Sequence, residues 1–233
     1  IYDQTDEFAV LGLMGPMAAD IATSLGASEL NQLGYFCWCT ANIAGIPVQA
    51  ARLSYVGEAG WELSCASAQA EALFDALSAA GAKPAGIFAQ TSMRIEKRFL
   101  SFGHDLDTDL NPLEAGLEFS IDWNSKFIGK SALLKIRDQA PANRLVSIVF
   151  ESLDAQPLGN EPVYHQGRII GKTTSAAFGY RVGKSVAIAL VSSNCELEGL
   201  VVDVDIAGSQ NVGSIHTNAA WDPDGTVLRT TIR

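Results

Sequence analysis

Four cysteines and three histidines are all the thiol and imidazole ligands that this chain of 233 residues holds. Cys37, Cys39, Cys65 and Cys195 are accompanied by His104, His165 and His216, with no spacing that a Cys/His centre uses, so no metal site is expected. Cys37 and Cys39 form a C-x-C pair, which on one strand would share a face without the geometry for a bridge. All four are read as free thiols of a reducing compartment. Positive charge is also scarce. Sixteen Lys and Arg face 26 Asp and Glu, for a formal charge of -10. Such an excess of carboxylates repels phosphate backbones and argues against a nucleic-acid partner. The few cations are scattered, with no basic run suited to an anionic membrane surface. No apolar run approaches the roughly 20 residues of a membrane span, and no signal peptide is read. The first residue is Ile1 rather than Met, so the natural chain is expected to begin upstream. A phosphate loop, a G-x-G-x-x-G fingerprint and a Ser-His-Asp order are missing too. Gly12-Leu13-Met14-Gly15-Pro16 is read as a tight turn from strand to helix.

What is present is ordinary for a soluble domain: 48% apolar and 18% charged residues, enough for a real core. Phe8 to Gly12 reads as a buried strand, and Gly15-Pro16 opens a helix carrying Ile21, Ala22 and Leu25 on one face. Residues 31–40 read as a strand, residues 41–45 as a turn, and residues 46–55 as a second strand. Trp61 to Cys65 returns as a third, making a hairpin. Residues 68–80 are predicted helical up to Gly81, and residues 85–99 and 131–137 follow as further helices. From Arg144 the style changes to short strand-like runs split by Gly, Asn, Asp and Pro, the last of them Thr226 to Ile232. The reading is an α+β fold: a ferredoxin-like unit over 1–105, a loop and helix connector over 106–142, and a small antiparallel β-barrel over 143–233.

The most informative stretch is Arg52-Leu53-Ser54-Tyr55-Val56-Gly57-Glu58-Ala59-Gly60-Trp61-Glu62-Leu63. Tyr55 and Glu62 flank a loop with two glycines between strands. A phenol can stack on a flat heterocycle. A carboxylate can accept two parallel hydrogen bonds from an amide-like N–C–N edge. Together they suit a pterin-like or purine-like ligand. A packed tyrosine and a solvent-exposed glutamate on a hairpin would look the same, and chemistry alone leaves both readings open.

The stretch resembles the "YTGE-x-G-x-E" signature of the aminomethyltransferase family, whose best-known member is the T-protein of the glycine cleavage system. Further motifs follow in the same order. Ser92-Met93-Arg94-Ile95-Glu96-Lys97 resembles an "LRLE" helix, and Phe102 to Leu106 a "YGxEL" turn. Asn111 to Leu117 resembles a "TPLEAGL" loop, and Phe127 to Leu133 a "FIGKEAL" helix start. Leu11 to Pro16 resembles the "GP" turn of the family's second domain, and residues 171–175 and 183–189 its barrel. The resemblance covers roughly residues 8–206 and implies that the N-terminal part of the family fold is absent. Within the family, the motifs look closest to the C-terminal folate-binding region of dimethylglycine and sarcosine dehydrogenases.

The resemblance implies tetrahydrofolate as cofactor, with folate and a methylated amine or aminomethyl donor as small-molecule partners. In the dehydrogenase reading, FAD belongs to an N-terminal domain. The activity implied is aminomethyl or methylene transfer to tetrahydrofolate. A free-standing aminomethyltransferase served by a lipoyl carrier protein, and a non-catalytic folate-binding protein of the same fold, are the alternatives. A cytoplasmic or mitochondrial-matrix location goes with either enzyme. Carried over by motif, Tyr55 matches a folate-contacting tyrosine and Glu62 the glutamate that binds the pterin, with Leu63 and Ser64 following in the same wall. Phe119 stands where the dehydrogenases have a folate-contacting tyrosine, and Gln90 where the T-protein has an arginine. An amide there keeps a hydrogen bond and loses the charge. No catalytic residue is assigned: the aspartate that handles the proton in the T-protein belongs to the preceding domain. Glu58, Arg94, Glu96 and His104 are read as structural.

Overall fold

Isoleucine, valine and alanine alternate with proline and glutamine along Ile46–Ala51, with the aliphatic side chains buried and Pro47 and Gln49 in water. That period of two is a strand with one face on a core. The computed structural model describes residues 1–194 and 196–229, so the expectations for Cys195 and for the end of the Thr226 to Ile232 run fall outside it. Two compact units are present: Ile1–Gln90 with residues 224–229, and Thr91–Pro223.

The first unit runs β1 (Phe8–Met14), α1 (Ala18–Ser24), β2 (Trp38–Ile43), β3 (Ile46–Ala51), β4 (Gly60–Ala66) and α2 (Ala70–Ala79). Its four strands form one antiparallel sheet in the order β1-β4-β3-β2. Leu13, Ile43, Val48, Trp61 and Leu63 on one sheet face pack with Ile21 of α1 and Leu73 of α2 into a single core. Burying a large aliphatic side chain of this kind contributes about 1.5–3 kcal/mol. Free thiols occur at Cys37, Cys39 and Cys65, and only Cys39 of the C-x-C pair lies within a strand.

Several boundaries differ from the sequence reading. The strand expected over residues 46–55 ends at Ala51, so Tyr55 falls in the following loop; β1 runs on through Met14, into the expected turn; and the helix expected over residues 85–99 spans Ile87–Glu96. The strand expected from Asn31 starts at Trp38, because residues 28–32 form a 3-10 turn and Phe36 takes a φ of 64°, which no strand admits. The turn expected over residues 41–45 narrows to Ala44 and Gly45, both at positive φ (51° and 86°), the pattern of a two-residue hairpin. The described part of the final run, Thr226–Arg229, is a helical turn with Leu228 buried, not a strand.

α3 (Ile87–Glu96) passes from the first unit into the second at Gln90. The second unit continues with α4 (Lys130–Ile136) and six strands: β5 (Asn143–Phe150), β6 (Pro162–His165), β7 (Arg168–Gly179), β8 (Lys184–Ser192), β9 (Val201–Ile206) and β10 (Ser209–His216). They close into an antiparallel barrel in the order β10-β5-β8-β7-β6-β9, which removes every exposed edge. The α+β architecture expected from the sequence is therefore present. β10 was not anticipated. Its sequence, SQNVGSIH, is mostly polar, and it becomes a strand because it pairs on both sides, with β5 and β9.

The end of α3 is anchored by buried charge. Arg94 Nη1 lies 2.5 Å from Asp105 Oδ2, and Arg94 Nη2 donates to Ser175 Oγ at 2.9 Å. Glu96 accepts from Arg181 Nε at 2.6 Å and from the backbone N–H groups of Arg181 and Val182. A Cβ at Gly179 would lie 2.9 Å from Glu96 Cγ, so a glycine on β7 is what admits that side chain. Lys97 reaches Asp222 Oδ2 at 2.8 Å. The structural reading of Arg94 and Glu96 follows from these contacts, while His104 sits exposed in the turn before Asp105.

Candidate ligand site on the open sheet face

Alternation along β4 divides its side chains cleanly. Trp61, Leu63 and Cys65 point into the core, with exposures of 0%, 0% and 2%. Glu62 and Ser64 lie half-buried on the opposite face. Leu63 therefore shares the strand of Glu62 and not its face; its side chain belongs to the core, and only its backbone borders the wall that Glu62 and Ser64 form.

Register places the neighbours of Glu62. Gly12 of β1 pairs with it on one side and Ala51 of β3 on the other, and Ala51 pairs onward with Trp38 of β2. Directly paired residues of an antiparallel sheet project to the same face. The row Gly12–Glu62–Ala51–Trp38 thus crosses the whole sheet on the side away from α1 and α2. Ser64 lies in the next row, between Val10 and Gln49. Phe8, Val10 and Trp38 are all more than half exposed on this face.

Among the described residues, no hydrogen bond or ion pair involves the Glu62 side chain. A half-buried carboxylate is costly to leave without a partner, and this one sits where a ligand's N–H groups could supply two.

Tyr55 lies in the loop that joins β3 to β4, half-buried. That loop is tied down at both ends. Arg52 is buried, donates from Nη1 to Leu33 O at 3.1 Å and lies 5.9 Å from the centre of the Trp61 ring. Burial pushes its guanidinium pKa down, against the pull of nearby Tyr35. At the other end Gly15 N–H donates to Ala59 O at 2.9 Å, and between the two Ser54 Oγ reaches Met14 Sδ at 3.8 Å. The loop bearing Tyr55 is thereby held against the end of β1, the strand of Gly12.

Gln90 is half-buried on α3 at the end of the first unit. Phe119 belongs to the second unit, on a 3-10 turn over Glu118–Ser120, with its ring 78% exposed. The first unit therefore gathers Glu62, Ser64 and the Tyr55 loop on one sheet. No group of three or more His, Cys, Asp or Glu residues able to hold a metal is present among the described residues, nor is any helix long and apolar enough to cross a membrane.

Residues 1–125 match the GCVT N-terminal domain, and residues 143–219 match the glycine cleavage T-protein C-terminal barrel domain. The chain belongs to the glycine cleavage T-protein family. Among relatives of this family, mitochondrial dimethylglycine dehydrogenase of Mus musculus is 36% identical over 223 residues, covering 92% of this chain and 26% of the relative. An aminomethyltransferase of Bacillus pumilus is 35% identical over 214 residues, covering 88% of this chain and 58% of the relative. The fold matches that of glycine cleavage system aminomethyltransferase T from Bartonella henselae, with a TM-score of 0.82 and 24% identity, over 93% of this chain and 60% of that one. The chain thus spans about a quarter of the dehydrogenase and under two thirds of the aminomethyltransferases.

Proposed function

We propose that this T-protein-family chain is the folate-binding part of a tetrahydrofolate-dependent one-carbon transfer enzyme of the dimethylglycine or sarcosine dehydrogenase type. The observation that carries the reading is Glu62: a half-buried carboxylate with no partner among the described residues, on the sheet face away from α1 and α2, beside the anchored loop of Tyr55. Its two oxygens match the paired N–H donors of a pterin's amide-like edge. The Tyr55 ring supplies a flat face and a hydroxyl, and Ser64 a second hydroxyl on the same side of the sheet as Glu62. The donor set therefore fits the group.

Tetrahydrofolate, when bound, supplies the N5 and N10 amines that take up the one-carbon unit. The residues of this chain bind and orient. Glu62 fixes the pterin edge, which sets the direction of the rest of the molecule, and much of the rate in such a transfer comes from holding the reacting atoms together. On this reading the folate site lies within 1–105, residues 106–142 connect, and 143–233 form the barrel domain. Gln90 supports the dehydrogenase type over the plain aminomethyltransferase, because an amide there forgoes the charge an arginine would bring. The donor is then an N-methylated amine, oxidised by an FAD domain elsewhere in the complete protein.

Calorimetric titration with tetrahydrofolate tests the reading. Micromolar binding that Glu62→Ala abolishes supports it. Absence of binding by the unchanged chain, or equal binding by the variant, overturns Glu62 as the pterin anchor.

A further inference from the structure

Gly12 is a glycine that the fold does not require. It lies inside β1, where its backbone is ordinary extended strand, outside the left-handed region that glycine serves. A Cβ built on it would meet only Met14 Cε, at 3.6 Å, an ordinary van der Waals contact. Gly60, paired two residues away with Met14, is the opposite case: a Cβ there would sit 2.1 Å from Leu13 O. Glycine inside a strand is destabilising relative to alanine. Where neither φ nor packing calls for it, close approach of a ligand or another backbone is the remaining physical reason.

What stands beside Gly12 identifies the approaching group. Its cross-strand partner is Glu62, and on the far side of Glu62 the partner is Ala51, again a small residue. The one unpartnered carboxylate of this row is therefore flanked by a missing side chain and a single methyl, while Val10 and Trp38 stand higher on the same face. The geometry points to Gly12 and Ala51 as specificity-determining residues: they clear a shallow slot on either side of Glu62 through which a flat heterocycle reaches the carboxylate in its own plane. The ligand class is a planar ring with adjacent N–H donors, selected by the width of the slot as well as by Glu62. This inference rests on the folate reading above and adds the two residues that shape the slot.

Gly12→Ala, Gly12→Val and Ala51→Leu, each made in the full chain, test it against tetrahydrofolate by calorimetry, with thermal melting on the same samples. Affinity should fall by a few fold for Gly12→Ala and by more than about tenfold for Gly12→Val and Ala51→Leu, while the melting temperature of the Gly12 variants holds or rises, as a β-branched residue suits an exposed strand position. Unchanged affinity in Gly12→Val and Ala51→Leu, with Glu62→Ala still losing the ligand, overturns the slot and leaves the folate reading intact. Failure of the unchanged chain to bind overturns both. A fall in affinity that tracks a fall in melting temperature overturns the slot as well, since it would mark a fold effect rather than lost clearance.

Discussion

Arg94 and Asp105 meet at 2.5 Å with side-chain exposures of 7% and 0%. Asp105 also accepts from the Ser101 N–H at 2.8 Å and the Thr174 hydroxyl at 2.6 Å, so the pair joins the end of α3, the following turn and the bulge of β7. Removing one member of such a pair strands the other charge in the interior. Asp105→Ala should destabilise by about 3–5 kcal/mol in urea unfolding. Arg94→Lys should recover little of the loss in Arg94→Ala, because an ammonium cannot span Asp105, Ser175 and Phe99 O at once. A near-neutral Asp105→Ala would show that the second unit does not depend on this junction.

Adjacent residues of β4 should separate stability from binding. Leu63→Ala opens a cavity in the core and should cost about 2–5 kcal/mol in unfolding free energy. Glu62→Ala touches no internal partner and should shift stability by less than about 0.5 kcal/mol. Comparable losses in both would mean that Glu62 is a structural residue.

The two glycines near the end of β1 and the start of β4 should respond in opposite directions. Gly60→Ala forces a contact with Leu13 O and should cost about 1–3 kcal/mol. Gly12→Ala should raise stability by roughly 0.5–1 kcal/mol. Chemical denaturation of the two single variants checks the signs.

Glu161 sets an acid limit on the barrel. Burial pushes its carboxyl pKa up, but hydrogen bonds from the Thr173 hydroxyl and the Leu158 and Gly159 N–H groups outweigh that and hold it below the ordinary 4.5. The unfolded chain then binds the proton more readily, so the stabilisation is full above 4.5 and is lost as pH falls through the lowered folded value. Glu161→Gln should be less stable than the unchanged chain near neutral pH, with the gap closing below about pH 4. A gap that stays constant through acid titration would remove Glu161 as the titrating group.

The sequence by itself determined the order of strands and helices through most of the first unit, the change to short strands after Arg144, and the loop that brings Tyr55 and Glu62 close along the chain. These follow from alternation, helical spacing and turn residues, which act over a few neighbours. Polar β10 escaped that logic, since its strand state comes from two partners supplied by β5 and β9. Leu63 illustrates the same limit at the site: following Glu62 in sequence suggests one wall, while the pleat sends it to the core. Only tertiary structure decided that Gly12, Glu62, Ala51 and Trp38 form one row, that α1 and α2 pack on the other face, and that Glu96 finds Arg181 across 85 residues. Register and long-range ion pairing depend on how distant segments dock, and no local preference in the chain encodes which residue will stand opposite another.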